Sequence, residues 1–183
     1  MKKSSIVIKL LLLSIGLLAF VFLTGFNKSG GDVNMNQSSS DFELILNFEE
    51  PTSIEKVGEK VSISISSDNA YEGNSSLKIE NRTSGWEGGD IDLTNDWQTL
   101  NSASFEVSTY IFQTSPVPQL FRIVAYIKDA NGERFETISE KVVMPNLWKK
   151  VQGEFNFTFS EPVEKFSLRV VTPLESDFTY YLD

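Results

Sequence analysis

From residue 42 onward the chain alternates apolar and polar positions in short stretches: residues 42–48 read FELILNF, 61–66 VSISIS, 103–112 ASFEVSTYIF and 120–128 LFRIVAYIK. A period of two is the mark of a half-buried strand, because successive side chains point to opposite faces of a sheet. Residues 77–80, 134–143, 148–157, 165–171 and 178–182 read the same way, which predicts nine strands. Turn residues punctuate them every eight to twelve positions, the spacing of an all-β sandwich or barrel. Asp129-Ala130-Asn131-Gly132 carries the Asn-Gly signal of a tight hairpin. No stretch repeats at the 3.6-residue period of a long amphipathic helix. The pattern predicts an all-β jelly-roll β-sandwich of two antiparallel sheets over residues 42–183.

The first 41 residues follow another logic. Lys2, Lys3 and Lys9 precede an apolar run over residues 10–26, interrupted only by small residues such as Ser14, Gly16 and Gly25. It is shorter than the ~20 residues that comfortably span a bilayer and longer than an ordinary signal core. Residues 1–26 are therefore expected to be a signal peptide or an N-terminal membrane anchor, with any membrane contact confined to residues 6–26. A secreted or cell-surface location follows. Leu23-Thr24-Gly25-Phe26 has the form of a bacterial lipobox with Phe26 where the acceptor cysteine would stand. Residues 27–41 are rich in Ser, Asn and Gly and too polar to offset the entropy of ordering them, which predicts a flexible linker.

Composition removes several chemistries. Among 183 residues there is no cysteine and no histidine, so disulfides, thiolate nucleophiles, Cys/His zinc sites and Ser-His-Asp arrangements are excluded. Ser53, Ser62 and Ser64 have no histidine base to activate them. Acids such as Glu49, Glu136 and Glu140 are plentiful, but nothing beside them marks a catalytic pair. Beyond residue 26 the chain loses three of its 16 basic residues and none of its 25 acidic ones, leaving 12 negative charges in excess. Nucleic acid and anionic membranes are poor partners for such a surface. The expectation is a protein that is not an enzyme.

Ala70-Tyr71-Glu72-Gly73 leading into Ser76-Leu77-Lys78-Ile79 forms a first landmark, followed by Asn81-Arg82-Thr83-Ser84-Gly85-Trp86-Glu87-Gly88 and Asp92-Leu93-Thr94. Arg134-Phe135-Glu136-Thr137-Ile138, Trp148 with Gly153, and the closing Phe178-Thr179-Tyr180-Tyr181-Leu182-Asp183 come later in the same order. Over residues 44–183 this series resembles the family 22 carbohydrate-binding modules, xylan-binding jelly rolls attached to many bacterial xylanases. The resemblance implies a non-catalytic module for β-1,4-xylan or mixed-linkage β-glucan, tethering the protein or an associated glycoside hydrolase to plant cell-wall polysaccharide. It also implies that a chain ending at Asp183 is either a stand-alone binding protein or the leading part of a longer enzyme. The alternative is a structural or protein-interaction jelly roll on the cell surface that has lost sugar binding.

The resemblance places the family's sugar-stacking tryptophan at Trp86. An aromatic face suits the apolar C–H surface of a pyranose while polar neighbours take its hydroxyls. A second family aromatic falls at Phe135, which lacks the usual tyrosine hydroxyl. The family's tyrosine, glutamate and arginine anchors fall at Ser167, Val171 and near Gly58. Each buried hydrogen bond left unmade costs roughly 1–3 kcal/mol. Arg122, Tyr126, Glu136 and Arg169 stand on strand positions from which they are candidate replacements. The family's structural calcium would be held by oxygens of Asn47, Glu49, Glu72, Ser75 and Asp183, a donor type that suits a hard cation. Trp148 corresponds to a tryptophan that plugs the sandwich, and Trp97 is expected in a loop.

Overall fold

In the computed structural model, which describes residues 6–10, 43–46, 48–49, 54–101, 104–174 and 177–183, the alternating stretches become two facing antiparallel sheets. The larger has seven strands. Its path runs through β2 (Glu43–Leu46), β1 (Ile6–Leu10), β7 (Ser104–Gln113), β12 (Tyr180–Leu182), β5 (Ser76–Glu80) and β4 (Ser62–Ser66). On the opposite edge of β7 lies β10 (Lys149–Asn156). The five-stranded sheet runs β3 (Glu55–Val57), β6 (Gly88–Asp92), β11 (Lys165–Val171), β8 (Gln119–Asp129), β9 (Gly132–Val143).

Each of the nine expected strands is present, and three are added. β3 is short, and β6 opens on Gly88-Gly89, residues that carry no strand preference of their own. The glycines are required by packing: a Cβ on Gly89 would stand 2.9 Å from Ile54 Cγ2, and one on Gly88 2.8 Å from the Tyr180 hydroxyl. The third addition, β1, lies inside the segment read as an export signal or anchor. It runs in line with β12 along one edge of β7: Asp183 exchanges both backbone hydrogen bonds with Tyr110, and Val7 pairs with Ser108. The rest of residues 1–26 and the whole 27–41 linker lie outside the described residues.

The sandwich interior is filled by alternate residues of both sheets. Phe105, Val107 and Ile111 of β7 face Phe121, Ile123, Ala125 and Ile127 of β8 and Phe166 and Leu168 of β11, all buried. Removing each large side chain from water contributes roughly 1.5–3 kcal/mol. Tyr180, fully buried among them, donates its hydroxyl to the Val170 carbonyl at 3.0 Å, and burial pushes its pKa up to about 12. β9 and β10 meet where Gly153 passes the Ile138 carbonyl, 2.6 Å from where a Cβ would lie.

Two tryptophans differ from expectation. Trp97 sits in a single helical turn, α1 (Trp97–Leu100), packed against Phe159 and the edge of the core. Trp148 does not plug the sandwich. The register that sets Lys149 opposite Ile111 carries Trp148 to Phe112, whose side chain points out of the large sheet, and the two rings meet there at 5.5 Å. The reason is parity: core-facing Ile111 and Gln113 leave Phe112 on the outer face.

The β8–β9 hairpin is pinned by Asp129, whose carboxylate accepts the amides of Asn131 (2.9 Å) and Ser160 (3.1 Å) and pairs with Arg134 (3.0 Å). Burial by itself would raise its pKa. The Ser160 amide, the Arg134 guanidinium and the Asn131 amide outweigh that and hold it below the usual carboxylate value. A depressed folded pKa means that the stabilisation is present above the unfolded value near ~4 and is lost as pH falls through the folded one. Asp129→Asn should therefore lower the unfolding free energy by about 1–3 kcal/mol in urea at pH 7. The gap between variant and parent should close as the pH drops below 4, and equal stabilities at pH 7 would remove the carboxylate from this role.

Candidate functional site

Alternation on β8 and β11 sorts side chains onto the outer face of the five-stranded sheet. With Phe121, Ile123, Ala125 and Ile127 turned inward, Arg122, Val124, Tyr126 and Lys128 turn outward. On β11 the outward set is Lys165, Ser167, Arg169 and Val171. Strand register then assembles neighbours that are remote in sequence. Tyr126 lies between Phe135 of β9 and Ser167 of β11, and Arg169 lies between Val124 and Asp90 of β6.

Over this face three aromatic rings form one strip. Phe135 is at its centre, 5.8 Å from Trp86 with the planes tilted by 54° and 5.0 Å from Tyr126 at 35°. Trp86 keeps 43% of its surface exposed and Phe135 48%. Contiguous exposed aromatics in an otherwise acidic surface mark a place where something docks. The rings touch, so no pyranose fits between them, and a ligand would lie along the strip. Glu133, two residues before Phe135 on β9, stands on the same face, and burial followed by the charge of Glu133 raises the Tyr126 hydroxyl pKa.

Trp86 is presented by the turn over residues 81–87, which is fixed at several points. Asn81 enters it with φ of 59°. The Glu87 carboxylate caps the Thr83 and Ser84 amides and takes the Thr83 hydroxyl, contacts that lower its pKa. The Thr172 amide donates to the Gly85 carbonyl at 2.9 Å, and a Cβ on Gly85 would stand 2.1 Å from the Thr172 carbonyl oxygen. Beneath, the buried Arg82 guanidinium lies over Phe178 and Tyr180 at 5.0 and 4.7 Å and donates to the Thr172 hydroxyl. Arg169 completes the frame: Nη1 donates to the Trp86 carbonyl at 3.0 Å and Nε to Asp90 Oδ1 at 2.8 Å. Asp90 Oδ2 accepts the Ser167 hydroxyl at 3.0 Å.

The residues expected at a ligand site do not all converge. Trp86, Phe135 and Tyr126 do. Arg122 shares the face, paired with Glu140 on the neighbouring strand. Glu136 does not join them, since it follows Phe135 on the same strand, turns to the opposite side and is held by Arg134 Nε at 2.9 Å. Ser167 and Val171 occupy outward positions next to Tyr126 and Arg122, as the resemblance requires for the residues they replace, but bring a short hydroxyl and a hydrocarbon. Arg169 is buried under Trp86 and committed to Asp90. The Asp90–Arg169–Ser167 group was missed in the sequence because β6 was not legible as a strand, so nothing indicated that Asp90 faced Arg169.

Of the residues assigned to calcium, Asn47 lies outside the described residues. Glu49 Oε1 accepts the Asn74 and Ser75 amides at 2.7 and 3.1 Å, and Asp183 Oδ2 accepts those of Tyr71 and Glu72 at 2.6 and 3.1 Å. The Asn74 amide lowers the Glu49 pKa. Ser75 and Glu72 thus meet these carboxylates through N–H groups. Gly73, at φ of 75°, makes the approach feasible, since a Cβ there would fall 2.3 Å from Glu49 Oε1. Among the described residues no three acidic side chains gather around one point.

Comparison with known proteins bears on the family and the fold. Residues 46–177 match the sequence profile of the family described as carbohydrate binding domain. The chain is 41% identical over 141 residues to endo-1,4-β-xylanase A of Thermotoga neapolitana, and 40% identical over 147 residues to that of Thermotoga maritima. The matches take in 76% and 80% of this chain but span only 13% and 14% of those proteins. In structure it is similar to the CBM22-1 xylan-binding domain of Paenibacillus barcinonensis Xyn10C, with a TM-score of 0.65 and 23% identity over 74% of this chain and 86% of that one. The C-terminal family 22 carbohydrate-binding module of Clostridium thermocellum Xyn10B aligns at a TM-score of 0.63, 24% identity, over 74% and 85%. These two likenesses establish the jelly-roll fold.

Removing one member of the buried pair should be costly, because it strands the other charge. Asp90→Ala is expected to lose about 3–5 kcal/mol of unfolding free energy in urea and, in a Trp97→Phe/Trp148→Phe background that isolates Trp86, to shift its emission toward that of solvent-exposed indole. Unchanged stability and emission would show that the pair does not hold the turn.

Proposed function

The chain belongs to the carbohydrate binding domain family as a module like those of family 22, and from that premise we propose that the aromatic strip on its five-stranded sheet binds β-1,4-xylan or mixed-linkage β-glucan without catalysing its cleavage. The observation that carries this reading is the contact series Trp86–Phe135–Tyr126 along one sheet face, with Trp86 and Phe135 exposed and Tyr126 half-buried. Stacking supplies the attraction, and the pairs Arg122–Glu140 and Tyr126–Glu133 at its margins supply hydrogen-bonding groups for sugar hydroxyls.

Such a module works by holding what it is joined to near its polymer, an effective-concentration effect that needs only modest affinity. The polymer lies outside the cell, so a surface or secreted location belongs to the same proposal. The opposing reading, a scaffold module without sugar affinity, draws on Ser167 and Val171, where polar anchors are replaced.

A calcium ion is proposed at the loop over residues 71–75. Glu49 and Asp183 would hold it, together with loop carbonyls, and the Gly73 cradle gives the Glu49 carboxylate its room. Bound there, the ion would cross-link the segment after β2 to the residue that follows β12.

Affinity electrophoresis of the chain through gels containing xylan, β-glucan or mannan tests the binding. Retardation should be abolished in Trp86→Ala, weakened in Phe135→Ala and unaltered in Glu136→Ala, whose side chain points away. Migration unaffected by every polymer, with the chain folded, would favour the scaffold. For the cation, calcium at a hundredfold excess over its Kd adds about 2.7 kcal/mol and raises the melting temperature by several degrees relative to chelator. Identical melting curves would discard it.

A further inference from the structure

The charges around the strip are arranged in a way that bears on which polysaccharide can lie there. Every cation on this face of the described residues is engaged by a carboxylate of the same chain. Lys165 is shared by Asp92 (2.7 Å) and Glu55 (3.1 Å), and Arg169 is committed to Asp90. Toward the other edge Arg122 pairs with Glu140 and Lys128 with Glu164. Six carboxylates thus surround four cations once Glu133, which shares the outer face of β9 with Phe135 and stands opposite Lys128, is included.

A ligand carboxylate arriving at this face would meet no uncommitted guanidinium or ammonium. To pair with one it would have to displace a partner already positioned by the fold, and it would feel the acidic excess while doing so. An uncharged chain meets no such opposition, since stacking on apolar C–H faces and hydrogen bonds from paired side chains are indifferent to net charge.

Resting on the sugar-binding reading above, we infer that this face selects uncharged β-linked polysaccharide and disfavours uronate-bearing chains, with Glu55 and Glu133 as residues that set the discrimination. The acidic excess repels within a Debye length of roughly 8–10 Å at moderate salt, so the preference belongs to low ionic strength and fades as salt rises.

The test compares one polymer in two charge states: glucuronoxylan, and the same glucuronoxylan after reduction of its carboxyl groups, with mixed-linkage β-glucan as an uncharged reference. For the full chain in affinity gels at low salt, the reduced polymer should bind about two- to fivefold more tightly than its parent, the range expected of exposed charge interactions. The ratio should fall toward one at high salt. In the double variant Glu55→Gln/Glu133→Gln, checked for an unchanged melting temperature, it should fall toward one at low salt too. Equal binding of both xylans at low salt, or a ratio that the double variant leaves untouched, would overturn the inference while leaving sugar binding intact. No retardation by any of the three polymers would overturn the sugar-binding reading, and this inference with it.

Discussion

Under the aromatic strip lie two opposite charges taken out of water, Asp90 on β6 and Arg169 on β11, joined at 2.8 Å. Desolvating them costs several kcal/mol per ion, which their mutual attraction offsets only if the remaining hydrogen-bonding capacity is also used. Ser167 takes the second Asp90 oxygen, and the Trp86 carbonyl takes another guanidinium hydrogen. The pair therefore fixes the short strand β6 against β11 and fixes the turn that carries Trp86. Placement of the outermost ring of the site depends on an interaction beneath it that no ligand would touch.

What lies above that pair is a trade of polar contacts for apolar ones. At Ser167, Val171 and Phe135 the face carries fewer hydrogen-bonding groups than the resemblance implies, and three touching rings instead. A site that hydrogen-bonds particular hydroxyls rejects ligands lacking them, whereas a stacking surface discriminates among sugars weakly. Selection then passes to shape and to the field of the surrounding charges, and here that field is acidic.

At the far end of the sandwich the loop over residues 71–75 receives one carboxylate from the segment after β2 and one from the residue after β12. Both make charge-assisted bonds to backbone amides, the stronger class of hydrogen bond. The beginning and the end of the domain are thus held by the same few residues, and Gly73 is there because the backbone turns at φ of 75°, a conformation that residues with a Cβ rarely adopt.

Nine strand positions, the Asn-Gly hairpin and the two-sheet class were determined by the sequence alone, because a period of two and turn chemistry are local properties of the chain. So was one relation that parity contains: adjacent residues of a strand cannot share a face, and a groove that takes Phe135 excludes Glu136. What only the tertiary structure decided is who stands beside whom. The role of Gly88-Gly89 as strand, the meeting of Asp90 with Arg169, the exit of Trp148 to the outer face and the contact of Trp86 with Phe135 all arise from pairing between residues 31 to 79 positions apart or from register set by such pairing. Local preference carries no record of that register, since it is chosen by the simultaneous burial of both sheets' inner faces.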